Sequence, residues 1–400
     1  MDELINNDIE KAPWLQQVTK DLKGADFREK LVHIKEGIEI MPLYTASDLP
    51  EFEPDANADF LADMDDDFAA EVGNQHQQHL TWNITEDWEV SASTNMHELV
   101  QQARQRGVID LRLHAEVDSD YDAIFDGIRK MGSPANLHFD ATGPINEHTA
   151  GSWRERIGFL GDRDRLIQSI QFDPISYWEK NGYPASTNAQ FDRLADAILR
   201  INGHLQDCRL IKVDTTDLAD AGASSIDQLV KALHRTAVYF EEMEKRNLSL
   251  FEITQLFTFR FGVGTNYFFE MAKLRAFKIL WNNLVKAYDP ELDFIPTPYI
   301  HAVVSTHSFT QEDKHSNLLR STTAAMSALL GGVDALSIPT FDLQQEAQSV
   351  RLAINIQNLL RYESYMDRYR DAANGSYYIE SLTRQFGEKA WSIFIETHNA

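Results

Sequence analysis

Cysteine is nearly missing from this chain: Cys208 is the only one among 400 residues, so no disulfide can form within it. A lone thiol is more often packing than nucleophile. No apolar run approaches the roughly twenty residues that a membrane helix needs. The opening Met1-Asp-Glu-Leu-Ile-Asn-Asn-Asp-Ile-Glu10 has neither a basic start nor an apolar core, so a secretory signal is not expected and the cytoplasm is the expected location. Gly-x-Ser-x-Gly, a phosphate loop and Cys-x-x-Cys are all absent. Positive charge is scarce throughout, with a formal net charge of −25, and from Glu36 to Ala103 there is no lysine or arginine for 68 residues. Such a field repels polyanions, which excludes nucleic acid as an expected partner; no membrane partner is expected either.

What the chain does have is a hydrophobic content of 43%, enough for a large core. Its most legible stretch is Phe257–Trp281, which reads as a strand, a tight turn and a long helix. Phe257, Phe259 and Phe261 alternate with Thr258 and Arg260 at the period of a strand, and Gly262 and Gly264 supply the turn. From Tyr267 the apolar residues recur at helical spacing. Gly262-x-Gly264 could cradle a phosphate at the helix start, but the third glycine of the dinucleotide fingerprint is missing, and a packing turn is the simpler reading.

This β-to-α unit is one of eight. Strands are expected near Leu80–Thr85, Val108–Ala115, Ala135–Ala141, Ser169–Asp173, Arg209–Thr215, Phe257–Phe261, Tyr299–Ser305 and Ala335–Thr340. Helices are expected at Met96–Arg106, Tyr121–Met131, Glu147–Ile157, Phe191–Ile201, Ile226–Glu244, Tyr267–Ala287, Gln311–Leu330 and Leu343–Tyr365. Such a series writes an α/β fold, a (β/α)8 TIM barrel with an N-terminal helical and extended arm; a doubly wound open sheet is the alternative. Residues 1–45 form the arm, 46–78 an acidic linker, and 79–400 the barrel with a final helix expected at Arg384–Ile395. An apolar arm must cover either the chain's own barrel or a partner subunit, and residues 1–45 are expected to be a subunit-interface arm that wraps the partner.

Barrel chemistry belongs at the C-terminal strand ends. These are acidic here, and Arg260 is the only arginine near them; if the phenylalanines of its strand point inward, it points out toward the helices. His301 and His307 are candidate acid–base groups or buried structural histidines. Asp173 and Asp217 are a candidate carboxylate pair or helix caps. His307, Asp313 and His315 lack zinc spacing, so no metal site is expected. Lys212 is the one obvious lysine for Schiff-base chemistry.

Three stretches together resemble the adenosylcobalamin-dependent acyl-CoA mutases, the methylmalonyl-CoA mutase family in particular: Gly37-Ile-Glu-Ile-Met-Pro-Leu-Tyr-Thr45, Phe261–Trp281 and Asn374-Gly-Ser-Tyr-Tyr-Ile-Glu-Ser-Leu-Thr383. The resemblance implies a substrate barrel, normally followed by a cobalamin-binding domain that is not in this sequence. It also implies a radical rearrangement between methylmalonyl-CoA and succinyl-CoA.

Departures from the family pattern imply which subunit this resembles. The family's catalytic histidine falls on Asp217 when the chain is aligned on Ala221-Gly222-Ala223, and an ionised aspartate cannot donate to a thioester carbonyl. A family tyrosine falls near Ile84 and a family glutamine on Val303. The family's basic coenzyme A loops fall in the stretch without positive charge, where nine acidic residues lie between Glu51 and Glu71 and would repel the nucleotide phosphates. Asp313-Lys-His315-Ser-Asn-Leu318 meets only two positions of the cobalamin-ligand motif, because leucine replaces its glycine. The resemblance thus implies the small, non-catalytic subunit of a heterodimeric mutase, whose catalytic large subunit is the partner and whose complex uses adenosylcobalamin. No catalytic residue and no bound cofactor are expected in this chain. A competent mutase barrel using another acid, and an unrelated barrel lyase, are the alternatives.

Overall fold

The computed structural model describes residues 11–49, 82–91, 93–108, 110–115, 121–130, 135–141, 167–202, 205, 208–292, 294–344, 346–369 and 371–398. The acidic stretch Glu51–Glu71 and the helix expected at Glu147–Ile157 lie outside them.

Two short helices open the described chain, α1 (Ala12–Asp21) and α2 (Phe27–Leu31), followed by an antiparallel hairpin of β1 (His33–Lys35) and β2 (Ile38–Ile40). The hairpin folds back on the chain's own barrel. Ile38 is buried, the Glu36 carboxylate accepts from the Ser225 amide (2.8 Å), and Lys389 Nζ donates to the Glu36 carbonyl (2.7 Å). α1 has no buried residue, although Trp14, Leu15 and Val18 form its apolar stripe.

Eight parallel strands then close on themselves: β3 (Asn83–Glu89), β4 (Asp110–Ala115), β5 (Asn136–Ala141), β6 (Ile167–Phe172), β7 (Arg209–Asp214), β8 (Phe257–Val263), β9 (Tyr299–Val304) and β10 (Ala335–Ser337). β10 pairs with both β9 and β3, so there is no open edge and the doubly wound alternative is set aside. Helices α3 (Met96–Gln105), α4 (Tyr121–Lys130), α5 (Pro174–Asn181), α6 (Thr187–Asn202), α7 (Thr216–Asp220), α8 (Ser225–Glu244), α9 (Leu250–Thr254), α10 (Tyr267–Tyr288), α11 (Ser316–Leu330), α12 (Ala347–Tyr362) and α13 (Tyr377–His398) surround them.

Several boundaries differ from expectation for physical reasons. The helix expected from Leu343 begins only at Ala347, because Leu343 is left-handed (φ 58°) and its turn is closed by the Asp342 carboxylate. The helix expected from Gln311 begins at Ser316, so Asp313 and His315 sit in a turn before it. The final helix, expected at Arg384–Ile395, begins already at Tyr377: Glu380 accepts from the Gly375 amide (3.1 Å) and from Arg275 (2.6 Å), and Ile379, Leu382 and Phe386 bury at helical spacing.

The core lies between the strands and the helices. Phe257 and Phe259 pack on Trp281, and Phe259 and Phe261 pack on Phe277 of α10, which places the phenylalanines outward. This reverses the expected orientation of β8. A barrel's outer face meets a ring of apolar helices and offers far more apolar area than its narrow lumen, so the aromatic face goes outward and Arg260 inward.

The glycine turn after β8 is a packing turn. A Cβ on Gly262 would lie 2.2 Å from the Ala219 Cβ on α7, and the Gly264 amide is taken by Glu270 Oε1 (2.9 Å). Gly262→Ala should therefore force α7 away from the strand and cost about 1–3 kcal/mol, read as a lower urea midpoint. A midpoint equal to wild type would show that α7 moves freely.

Candidate functional site

Which side chains fill the lumen follows from register, because residues paired across parallel strands point the same way. Asp87 pairs with Arg112 and Arg112 with His138; His114 pairs with Asp140, Asp140 with Gln171, and Asp214 with Arg260 in turn with His301. The alternate residues Leu111, Leu113, Leu137, Phe139, Ile211 and Val213 belong to the core outside. The described lumen is therefore lined by charge rather than by the branched apolar layers usual in such barrels.

The charges neutralise one another. Asp140, only 2% exposed, holds Lys212 Nζ at 2.5 Å, His114 Nδ1 at 3.2 Å, and Arg260 Nη1 and Arg112 Nη1 at 3.6 and 3.9 Å. Asp214 accepts from Arg260 at 3.0 Å, and Asp87 lies 2.9 Å from His114 Nε2. Burial opposes ionisation of Asp140, but Lys212, His114 and Arg112 overcome it and hold the carboxyl well below its ordinary range. Burial likewise works against His114, yet its hydrogen bonds to Asp140 and Asp87 prevail and raise it to about 9. Burial and Arg112 push His301 far down, so it is neutral. Its tautomer follows from its neighbours: a guanidinium only donates, so Arg112 Nη2 donates to Nδ1 (3.0 Å), and Nε2–H donates to Ser337 Oγ (2.9 Å), which in turn donates to Asp87 (2.6 Å).

Arg112, Lys212 and Arg260 thus run against the expectation of a single arginine near the mouth, and Arg260 points inward because the phenylalanines of its strand face the helices. They were hidden in the sequence because each stands on a different strand, between large apolar neighbours. The visible signal is the pattern Asp110-x-Arg112-x-His114, His138-x-Asp140, Lys212-x-Asp214, in which every second strand residue is polar.

The other candidates scatter. Asp217 lies in α7 on the rim, half-buried, with its Oδ2 3.2 Å from Lys180 Nζ on α5. Asp173 caps α5 by accepting from the Ser176 amide (3.1 Å) and accepts from Tyr239 (3.3 Å); burial raises its carboxyl. The two are not brought together as a pair by any contact. Ile84 shares the outward face of β3 with Glu86, which pairs with Arg106 of the outer shell (2.6 Å). Val303 shares the lumen face of β9 with His301 and pairs with Ser337. Lys212 Nζ is engaged by two carboxylates, Asp140 and, at 3.7 Å, Asp214, which leaves it no room to attack a carbonyl. Cys208 is buried, and its thiol is pushed up to about 12, which keeps it un-ionised and inert.

Metal and cobalamin fare no better among the described residues. No group of three metal-ligating side chains occurs among them. His307 Nδ1 lies 3.2 Å from the Asp220 carbonyl, the His315 ring stacks on Phe341 (5.3 Å), and Asp313 is taken up by the Ser316 hydroxyl (2.5 Å). Asp313 and His315 are thus each engaged within the chain, by Ser316 and Phe341. Among the described residues no helix is long and apolar enough to cross a membrane.

Residues 115–400 match the family model of methylmalonyl-CoA mutase. The chain is 29% identical over 406 residues to the methylmalonyl-CoA mutase small subunit of Porphyromonas gingivalis, covering 98% of this chain and 63% of that one. It is 24% identical to the small subunit of Propionibacterium freudenreichii subsp. shermanii, with 94% and 58% covered. It is 27% identical to the methylmalonyl-CoA mutase of Rhizobium meliloti, with 96% and 57% covered. The chain spans about three-fifths of the length of these curated relatives.

Proposed function

The chain belongs to the methylmalonyl-CoA mutase family, and from that premise we propose that it is a small, non-catalytic subunit supporting a catalytic large subunit that interconverts methylmalonyl-CoA and succinyl-CoA. The observation that carries this reading is the lumen: Arg112, Lys212 and Arg260 interlock with Asp87, Asp140 and Asp214 across the space a threaded thioester would need. Opening it would break several buried ion pairs, each of which costs about 3–5 kcal/mol when one partner is removed. Asp217, engaged with Lys180, offers no donor to a developing carbonyl charge.

Two further features support the reading. The names of two relatives contain the words small subunit. Adenosylcobalamin would supply the radical chemistry in the catalytic partner; in this chain Asp313 and His315 do not fit it, and no step is assigned to them.

Calorimetry tests the proposal. The isolated chain should give no heat with a coenzyme A ester up to ~1 mM, while its complex with the large subunit binds the ester. Submicromolar binding by the isolated chain would overturn the reading in favour of a competent barrel that uses another acid.

A further inference from the structure

We propose that Asn374 is a site of covalent self-modification: the Gly375 nitrogen displaces its side-chain amide, converting the turn ahead of α13 to aspartate and isoaspartate at a rate that Glu380 restrains. The reaction is independent of the subunit role above. Glycine opens the route because, lacking a Cβ, it leaves its own amide nitrogen accessible to the side chain before it.

Three Asn-Gly pairs occur in the chain, beginning at Asn181, Asn202 and Asn374. Gly203, which follows Asn202, lies outside the described residues. Asn181 is the last residue of α5, and the backbone holds both of its reacting groups: its Nδ2 donates to the Tyr177 carbonyl (2.9 Å), and the Gly182 amide donates to the Trp178 carbonyl (2.7 Å). The leaving group and the attacking nitrogen are thus both tied down there. Asn374 differs. Its side chain is exposed and makes no hydrogen bond among the described residues, and the Gly375 amide is engaged only by a side chain, donating to Glu380 Oε1 (3.1 Å).

The steps balance without oxidant or cofactor. Hydroxide takes the proton from the Gly375 amide, and the nitrogen lone pair closes on the Asn374 Cγ. The Cγ–Nδ2 bond breaks, Nδ2 takes a proton from water, and ammonia leaves a five-membered imide behind. Water then opens the ring on one side to aspartate or on the other to isoaspartate, whose backbone runs through the side chain. One water is consumed and one ammonia released.

Glu380 restrains the first step. Its carboxylate holds the hydrogen that must leave, and its charge opposes the anion forming on that nitrogen. Arg275, buried on α10, keeps Glu380 in place (2.6 Å) and also pairs with Asp371, so the turn is knotted to the barrel's helical shell. The imide nitrogen carries no hydrogen, which takes this donor from Glu380. The isoaspartyl backbone is one carbon longer and cannot keep both the Asn374 amide on the Asp371 carbonyl (2.9 Å) and the Ser376 amide on the Ala373 carbonyl (3.1 Å). Modification therefore loosens the start of α13.

The test ages the purified chain in mildly alkaline buffer, digests it, and separates and weighs the peptides. The Asn374 peptide should give two products of equal mass, both heavier by the difference between a carboxylic acid and an amide. The Asn181 peptide should convert about fivefold or more slowly, the factor that one further hydrogen bond to break imposes. Glu380→Ala should speed conversion at Asn374 about tenfold and leave Asn181 at its wild-type rate, which separates local release from unfolding. Aged wild type should melt about 1–3 °C below fresh protein, while Asn374→Gln, whose longer side chain closes a ring far less readily, should keep its Tm on ageing. Conversion at Asn374 no faster than at Asn181 would overturn the site. A Glu380→Ala variant that is no faster, or that speeds both peptides alike, would overturn the restraint assigned to Glu380.

Discussion

Asp140→Asn should destabilise the chain by about 3–5 kcal/mol, read as a loss of urea midpoint at neutral pH, because it removes one partner from a buried charge cluster and leaves the others uncompensated. Asp140 touches Lys212, His114, Arg260 and Arg112, of which Lys212 and Arg112 are almost wholly shut off from water. The amide keeps the shape and some hydrogen bonds but not the charge, so the loss comes from four cations that share only Asp87 and Asp214. The control is Asp126→Asn. Asp126 pairs with Arg129 and Lys130 on the open face of α4, where water screens the charges, and the midpoint should not move. Equal midpoints for the two variants would mean that water reaches the lumen and that the cluster does not close it.

The second large effect is a loss of stability in alkali. His114 titrates near 6.5 when unfolded and at about 9 when folded. A group whose pKa is raised by folding stabilises fully below its unfolded value and loses that contribution as pH rises through its folded value. The window is therefore from about pH 6.5 to about pH 9, and the change approaches 3 kcal/mol if the whole shift is realised. Denaturation from about pH 6 to about pH 10 should show this fall in wild type and a shallower one in His114→Gln, the difference isolating His114 from other titrations. Parallel curves would show that His114 is not held as a cation between Asp87 and Asp140. On the acid side the sign reverses for His301, whose pKa is depressed by burial and by Arg112. Its contribution is present above the unfolded value of about 6.5 and declines as pH falls, so stability should peak between the two transitions.

Both expectations depend on a lumen that strand periodicity alone could not describe. The eight parallel strands, the strand at Phe257, the long helix after it and the glycine turn were legible because each is written in adjacent residues. Boundaries slipped where a local device overrode the pattern, as at Leu343 with its left-handed backbone and at Gly375 with its Glu380 cap. Asp217, expected at the end of the strand Arg209–Thr215, lies in α7 just beyond β7, and its partner Lys180 comes from a helix 37 residues earlier and could not be foreseen.

Alternation in Phe257-Thr-Phe-Arg-Phe261 states that two faces differ, and it says nothing about which one looks at the barrel axis. In an open half-wet sheet the polar face would be outside. In a closed barrel both faces are buried, and the choice falls to whichever arrangement pairs the charges and matches the apolar face to the helices. Arg260 can turn inward only because Asp214, Asp140 and Asp87 meet it there from β7, β5 and β3. The residues by themselves determined the barrel and the family; only closing the strands on one another decided that its centre is filled with ion pairs, since neutralising a buried charge takes a partner from a distant strand.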